Sequence, residues 1–92
     1  MYTVGKLRDY SAPYANIAAS TYRMWEITSR RMADQPVVAI TSQVADLYYR
    51  SALQDWAKST LKTRLGYLSS MWNIGIGKGI IPNFNPWAKM GS

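Results

Sequence analysis

The sequence predicts an all-α fold, a small bundle of four or so helices, and three observations carry that prediction. Apolar residues recur at steps of three and four, most clearly in Leu61, Leu65, Leu68, Trp72 and Ile76, one stripe about four turns long. Strand-like alternation is poor throughout, and no internal repeat or low-complexity run is visible. Turn-forming residues, Pro36, Gly79 and Pro82 among them, fall between the periodic stretches.

The first element is a short helix over residues 4–10, with Thr3 as N-cap and Pro13 limiting its extent. Residues 11–19 either prolong it or form a linking turn. The second helix is expected to start at Ser20 as N-cap and run to Met32 or Ala33. Tyr22, Trp25, Ser29 and Met32 share one side, and Arg23, Glu26 and Arg30 the other. Glu26 and Arg30 stand four apart, a pairing worth about 0.3–0.5 kcal/mol. Pro36 ends the element because it disfavours helical geometry in the residue before it.

In "VVAITSQVADLYYR" an extended apolar link leads into a cap. Thr41 takes a backbone N–H through its hydroxyl, Ile40 packs on the first turns, and Val44, Leu47 and Tyr48 are expected to face inward. This helix reaches residues 50–53, and Trp56 in the next connection forms a lid on the core. The fourth helix takes Ser59 as N-cap and carries the long stripe. Its opposite side holds Ser59, Lys62, Thr63, Gly66, Ser70 and Asn73, side chains that are short or absent apart from one lysine. A purely solvated face more often carries Glu and Lys, which are better helix formers. Gly79 stops the helix in left-handed geometry, with Lys78 beside the negative end of the dipole. Ile80 and Ile81 then fold back onto the core, Pro82 prevents the helix from resuming, and the Asn85-Pro86 turn sends Trp87 onward and out.

A chain of 92 residues makes one domain with one small core. Cysteine and histidine are both absent, which removes disulfides, thiolate metal sites and the usual general base; no cofactor is implied. No apolar run approaches a membrane span and no signal peptide opens the chain, so the cytoplasm is expected. Eleven Lys and Arg against five Asp and Glu give +6, with a pI near 9.8, the electrostatic footprint of a polyanion binder. No helix carries the strongly basic face that binding to an anionic membrane needs.

The ordered set of signals resembles the core-binding domain of the tyrosine recombinases, the phage-integrase family. "STLKTRLGYLSSMWNIGIGKGIIPNFNP" is similar to that domain's last helix and tail, with Thr60, Arg64, Leu68, Trp72, Lys78, Gly79, Ile80, Asn85 and Pro86 in the family's places. "AITSQVADLYY" resembles its middle helix, "STYRMW" the opening of an earlier one, and "TVGKLRDY" its first segment. Gly75 and Gly77 stand where the family commonly has helix formers, and Trp56 and Phe84 are departures from its pattern.

The resemblance implies a SAM-like bundle over residues 1–90 that lies across double-stranded DNA at a recombination core site. Residues 91–92 then form a tail or the start of a linker to the catalytic domain of the same parent chain. It also implies neighbouring recombinase subunits as partners through the N-terminal helix, with no membrane and no small-molecule substrate. The family's catalytic residues have no counterpart here, so the domain is expected to be non-catalytic.

On this basis Lys58, Ser59, Thr60, Lys62, Thr63 and Arg64 are the first candidates for phosphate and base-edge contact. They open a helix, where backbone N–H groups and the dipole favour an anion. A solvated first turn is the plainer reading of the same residues. Ser20, Thr21, Arg23 and Arg30 form a second candidate set, because the corresponding family helix also meets DNA. Arg31 and Arg50 read as peripheral, and Lys6 and Arg8 as steering charges. Seven tyrosines do not make a nucleophile, which needs clustered cations and an acid–base partner. The rival reading is a protein–protein module that packs the small-residue helix face on another helix.

Overall fold

The computed structural model describes residues 2–88 and 90; the tail or linker role assigned to residues 91–92 lies outside the described residues. Four helices follow one another: α1 (Val4–Ala15), α2 (Ala19–Ser29), α3 (Ser42–Ala52) and α4 (Lys58–Gly77). Two short 3-10 turns, Arg30–Met32 and Val37–Ala39, join α2 to α3. Helices α1, α2 and α4 pack on one another, and α3 stands at the edge.

Helix α1 starts where its cap predicts, with the Thr3 hydroxyl accepting from the Lys6 N–H at 3.2 Å. The amides of Val4 and Gly5 reach the carbonyls of Gln35 and Ala33, so its first turn is satisfied by protein. Pro13 does not limit the helix, which continues through it to Ala15 and ends on Asn16 at φ 50°. Residues beyond Tyr10 have tertiary reasons to stay helical: the buried Ser11 hydroxyl donates to the Met71 carbonyl, and Ala12 and Ala15 pack on the core.

Helix α2 departs from its expected bounds at both ends. Its N-cap is Ala18, with no side-chain cap, and Ser20 lies inside the first turn. It gives way to a 3-10 turn after Ser29, whose hydroxyl donates to the Trp25 carbonyl as that of Thr28 does to Met24. Such back-bonding competes with the main-chain ladder and bends helices. Arg30 opens the 3-10 turn, and the Glu26–Arg30 ion pair is not among those that form.

Helix α3 is capped by Thr41, which accepts from the Val44 N–H as expected. Its inward face is not the expected one. Ala45 and Ala52 are buried and Tyr48 is half-buried, whereas Val44 and Leu47 are exposed, the latter by 65%. The Tyr48 hydroxyl donates to the Thr28 carbonyl at 2.7 Å and fixes the helix rotation with the alanines inward. That hydroxyl is bound inside the molecule rather than presented outward.

Helix α4, about 30 Å long at 1.5 Å per residue, runs the length of a molecule whose largest extent is 32 Å. It begins one residue before the expected cap: Ala57 is the N-cap without a side-chain bond, and Ser59 is helical. Leu61, Leu65, Leu68 and Trp72 are buried as the stripe predicts, joined by Met71 and Gly75, while Ile76 is only half-buried. Gly79 at φ +72° ends it, with the amides of Gly79 and Ile80 returning to the carbonyls of Ile76 and Gly75.

The tail overturns one expectation. Ile81 closes the core as predicted, but Trp87 does not leave the molecule; it is 1% exposed. The Asn85 amide group lies within reach of the Ser69 carbonyl, the Ser69 hydroxyl and the Asn73 side chain on α4, and its oxygen accepts from the Trp87 N–H at 2.9 Å. Held this way, the Asn85-Pro86 turn directs Trp87 inward. Its ring meets Tyr48 of α3 edge-on at 5.5 Å and Trp72 of α4 at 5.7 Å, filling the space between the two helices.

Candidate nucleic-acid interface

Along α4 the buried stripe leaves one long flank, and that flank is open. Lys58, Ser59, Thr60, Lys62, Thr63, Gly66, Ser70 and Asn73 are all exposed. Among the described residues nothing lies within 4 Å of where a Gly66 Cβ would sit, and the Thr63 and Ser70 hydroxyls turn back onto the helix's own carbonyls. The tail runs beside this flank without covering it: Trp87, Ala88 and Met90 border a shallow groove with Lys62, Leu65, Gly66 and Ser69.

Two electrostatic features coincide at the start of α4. The helix has no carboxylate in its 20 residues, while Lys58, Lys62 and Arg64 lie in its first two turns. The amides of Lys58, Ser59 and Thr60 have no acceptor among the described residues, because Ala57 offers no side-chain cap. The first turns of α1 and α3, by contrast, are closed by Thr3 and Thr41. A positive dipole end, open amides and unneutralised cations together make an environment suited to phosphate oxygens.

Arg64 differs from its neighbours. It is half-buried, and its guanidinium carbon lies 3.9 Å from the centre of the Trp56 ring. Its Nε and Nη1 atoms are buried and have no hydrogen-bond partner among the described residues. Arg31 lies at 5.9 Å from the same ring and is ion-paired with Asp55, which holds its guanidinium above the ordinary range. Trp56 is thus a half-buried lid, as expected, and also a shared platform for two arginines. Arg31, read as peripheral to the contact set, ties the 3-10 turn after α2 to the connection that leads into α4. Isolated arginines four or more positions from their contacts give no periodic signal, so only the aromatic Trp56 hinted at this cluster.

The second candidate set is less unified. Ser20, Arg23 and Arg30 are exposed, but Thr21 is half-buried. Arg31 brings the end of α2 near the start of α4. Ser20 and Thr21 lie in the first turn of α2, about 13 Å along its axis from Ser29. The Tyr22 hydroxyl donates to Asp9, which is also paired with Arg8 at 3.0 Å. Burial opposes ionisation of Asp9, but the bonds from Tyr22 and Arg8 prevail and hold its carboxyl below the usual range. Arg8 is therefore committed to Asp9 and to Ser29 rather than free to steer. Arg50 likewise pairs with Asp46 along α3.

A different surface is apolar. Val38 and Phe84 are each more than half exposed and border a groove of about 550 Å³ with Ile40, Thr41 and Pro82, while the exposed Leu47 borders a second groove with Val44 and Tyr48. No described helix is long and apolar enough to cross a membrane. Comparison with protein-family models, with curated proteins and with solved structures finds no match to this chain.

Proposed function

We propose that this chain is the DNA-binding, core-binding domain of a tyrosine recombinase of the phage-integrase type, acting in the cytoplasm and non-catalytic by itself. The carrying observation is the open flank of α4, where Lys58, Lys62 and an uncapped first turn share one exposed surface on a helix without a carboxylate. In this reading phosphate contacts from Lys58, Lys62 and the first-turn amides supply most of the affinity and set the orientation. Ser59, Thr63 and Gly66 are short enough to let the sugar–phosphate backbone approach the helix closely. Arg23 and Arg30 add charge at the rim. The catalytic domain of the parent chain supplies the chemistry.

The test is a titration with duplex DNA at several salt concentrations. The logarithm of the binding constant should fall linearly with the logarithm of salt, from a micromolar-range affinity at moderate salt. Lys62→Ala should weaken binding and reduce the slope by about one phosphate contact. An affinity indifferent to salt sinks the reading; an unchanged slope removes Lys62 from the interface.

The second reading is a protein–protein module, and the exposed Val38, Leu47 and Phe84 are what favour it. It requires a complex without DNA, so a monomer in light scattering at high concentration counts against self-association.

A further inference from the structure

Four arginines in this molecule have their guanidinium groups occupied. Arg8, Arg31 and Arg50 are each paired with an aspartate. Arg64 is instead stacked on an indole, at 3.9 Å, with two of its three nitrogens out of water and without an acceptor. Among the described residues no carboxylate pairs with it. Stacking on a ring face attracts the cation but satisfies none of its N–H groups, and buried donors left without acceptors are costly. The stacked state therefore has a built-in competitor: any anion within reach that can take those N–H groups.

We propose that Trp56 is a positioning residue that parks Arg64 in the free domain, and that duplex DNA transfers the Arg64 guanidinium from the indole face to a phosphate. This rests on the DNA-binding reading above and adds to it an exchange of partners at one residue. The geometry allows it. Arg64 follows Thr63 by one position, about 100° around the helix, so an extended arginine side chain spans from its flank to the open face. In the bound state two of its N–H groups meet phosphate oxygens in the fork geometry that arginine favours. Parking also keeps the cation from pairing with an aspartate of this chain, as the other three do.

The experiment follows the Arg64 side-chain Hε proton by NMR in the unaltered chain, free and with a short mixed-sequence duplex at low salt. In the free domain it should lie upfield, shielded by the Trp56 ring, and move downfield at saturating duplex as it bonds to phosphate. Affinities of two variants complete the test. Arg64→Ala should bind about tenfold more weakly, whereas Trp56→Leu should bind as tightly as the unaltered chain or more tightly, because the competing stack is gone. If the domain binds duplex in a salt-dependent way but the Hε resonance stays upfield, the transfer is wrong and the DNA-binding reading stands. The same holds if Trp56→Leu weakens binding as much as Arg64→Ala, since the stack is then the bound form. If no duplex binds at all, both fall together.

Discussion

Tyr48 sets its ring against Trp87 and donates its hydroxyl to the Thr28 carbonyl, so one side chain joins α3, α2 and the tail. Burial, only partly offset by nearby Arg31 and Arg64, pushes its phenol up to about 12. Below the unfolded value near 10 both states keep the proton and the full stability is present; it is lost as pH rises through the folded value. Urea unfolding at a series of pH values should show the domain losing on the order of 2 kcal/mol between about pH 10 and 12. Tyr48→Phe should lack that loss while costing about 1 kcal/mol at neutral pH. Equal high-pH losses in both proteins would show that Tyr48 is not the group responsible. The sequence signalled an aromatic here but not the direction of its hydroxyl. Steps of three and four in α3 fit Val44, Leu47 and Tyr48 (i, i+3, i+4) as well as Ala45, Tyr48 and Ala52 (i, i+3, i+7). What decides is the Thr28 carbonyl, left open because α2 ends at Ser29.

Among the elements, α4 was the most legible, because five residues at steps of three and four leave little freedom in its rotation. Its start was less so. Ser59 has the right chemistry for a cap, but Lys58 is already helical, and the unanswered first-turn amides are visible only in the structure. Two glycines in the same helix make its packing testable. A Cβ on Gly75 would lie 2.7 Å from Leu7 Cδ1 and 3.0 Å from Ile81 Cδ1, whereas one on Gly77 would meet nothing within 4 Å. Gly77→Ala should therefore stabilise the domain by about 0.4–1 kcal/mol through the unfolded chain. Gly75→Ala should destabilise it by about 1–2 kcal/mol, as overpacking against α1 outweighs the gain in helix propensity. Thermal melts of the two variants check this, and shifts of the same sign would contradict the close approach of α1 to α4. Helix α1 outran its predicted end for the opposite reason: Pro13 is a local signal, and the burial of Ser11 is a tertiary one.

At the scale of the whole molecule, three helices form the core and a tryptophan from the tail attaches the fourth. Removing that ring by Trp87→Ala should cost about 3–5 kcal/mol, a large share of the stability of a domain this size. Chemical denaturation followed by circular dichroism measures it; a loss below about 1 kcal/mol would mean that α3 is held by other means. The Asn-Pro pair announced a turn without its direction, because direction depends on Asn85 meeting Ser69 and Asn73, sixteen and twelve residues away. The excess positive charge and its cluster at the start of α4 were legible in the sequence, whereas the pairing of Arg8, Arg31 and Arg50 with aspartates is visible only in the structure.

The route of the tail back along α4 also has a mechanical meaning. A pull applied from the C-terminal side is first resisted by the Asn85 amide and the wedged Trp87, and only afterwards by the backbone ladders of the helices. Traction there would detach α3 from α4 before it unwound either one. The tail is thus a tether whose yielding point lies inside the hydrophobic interior.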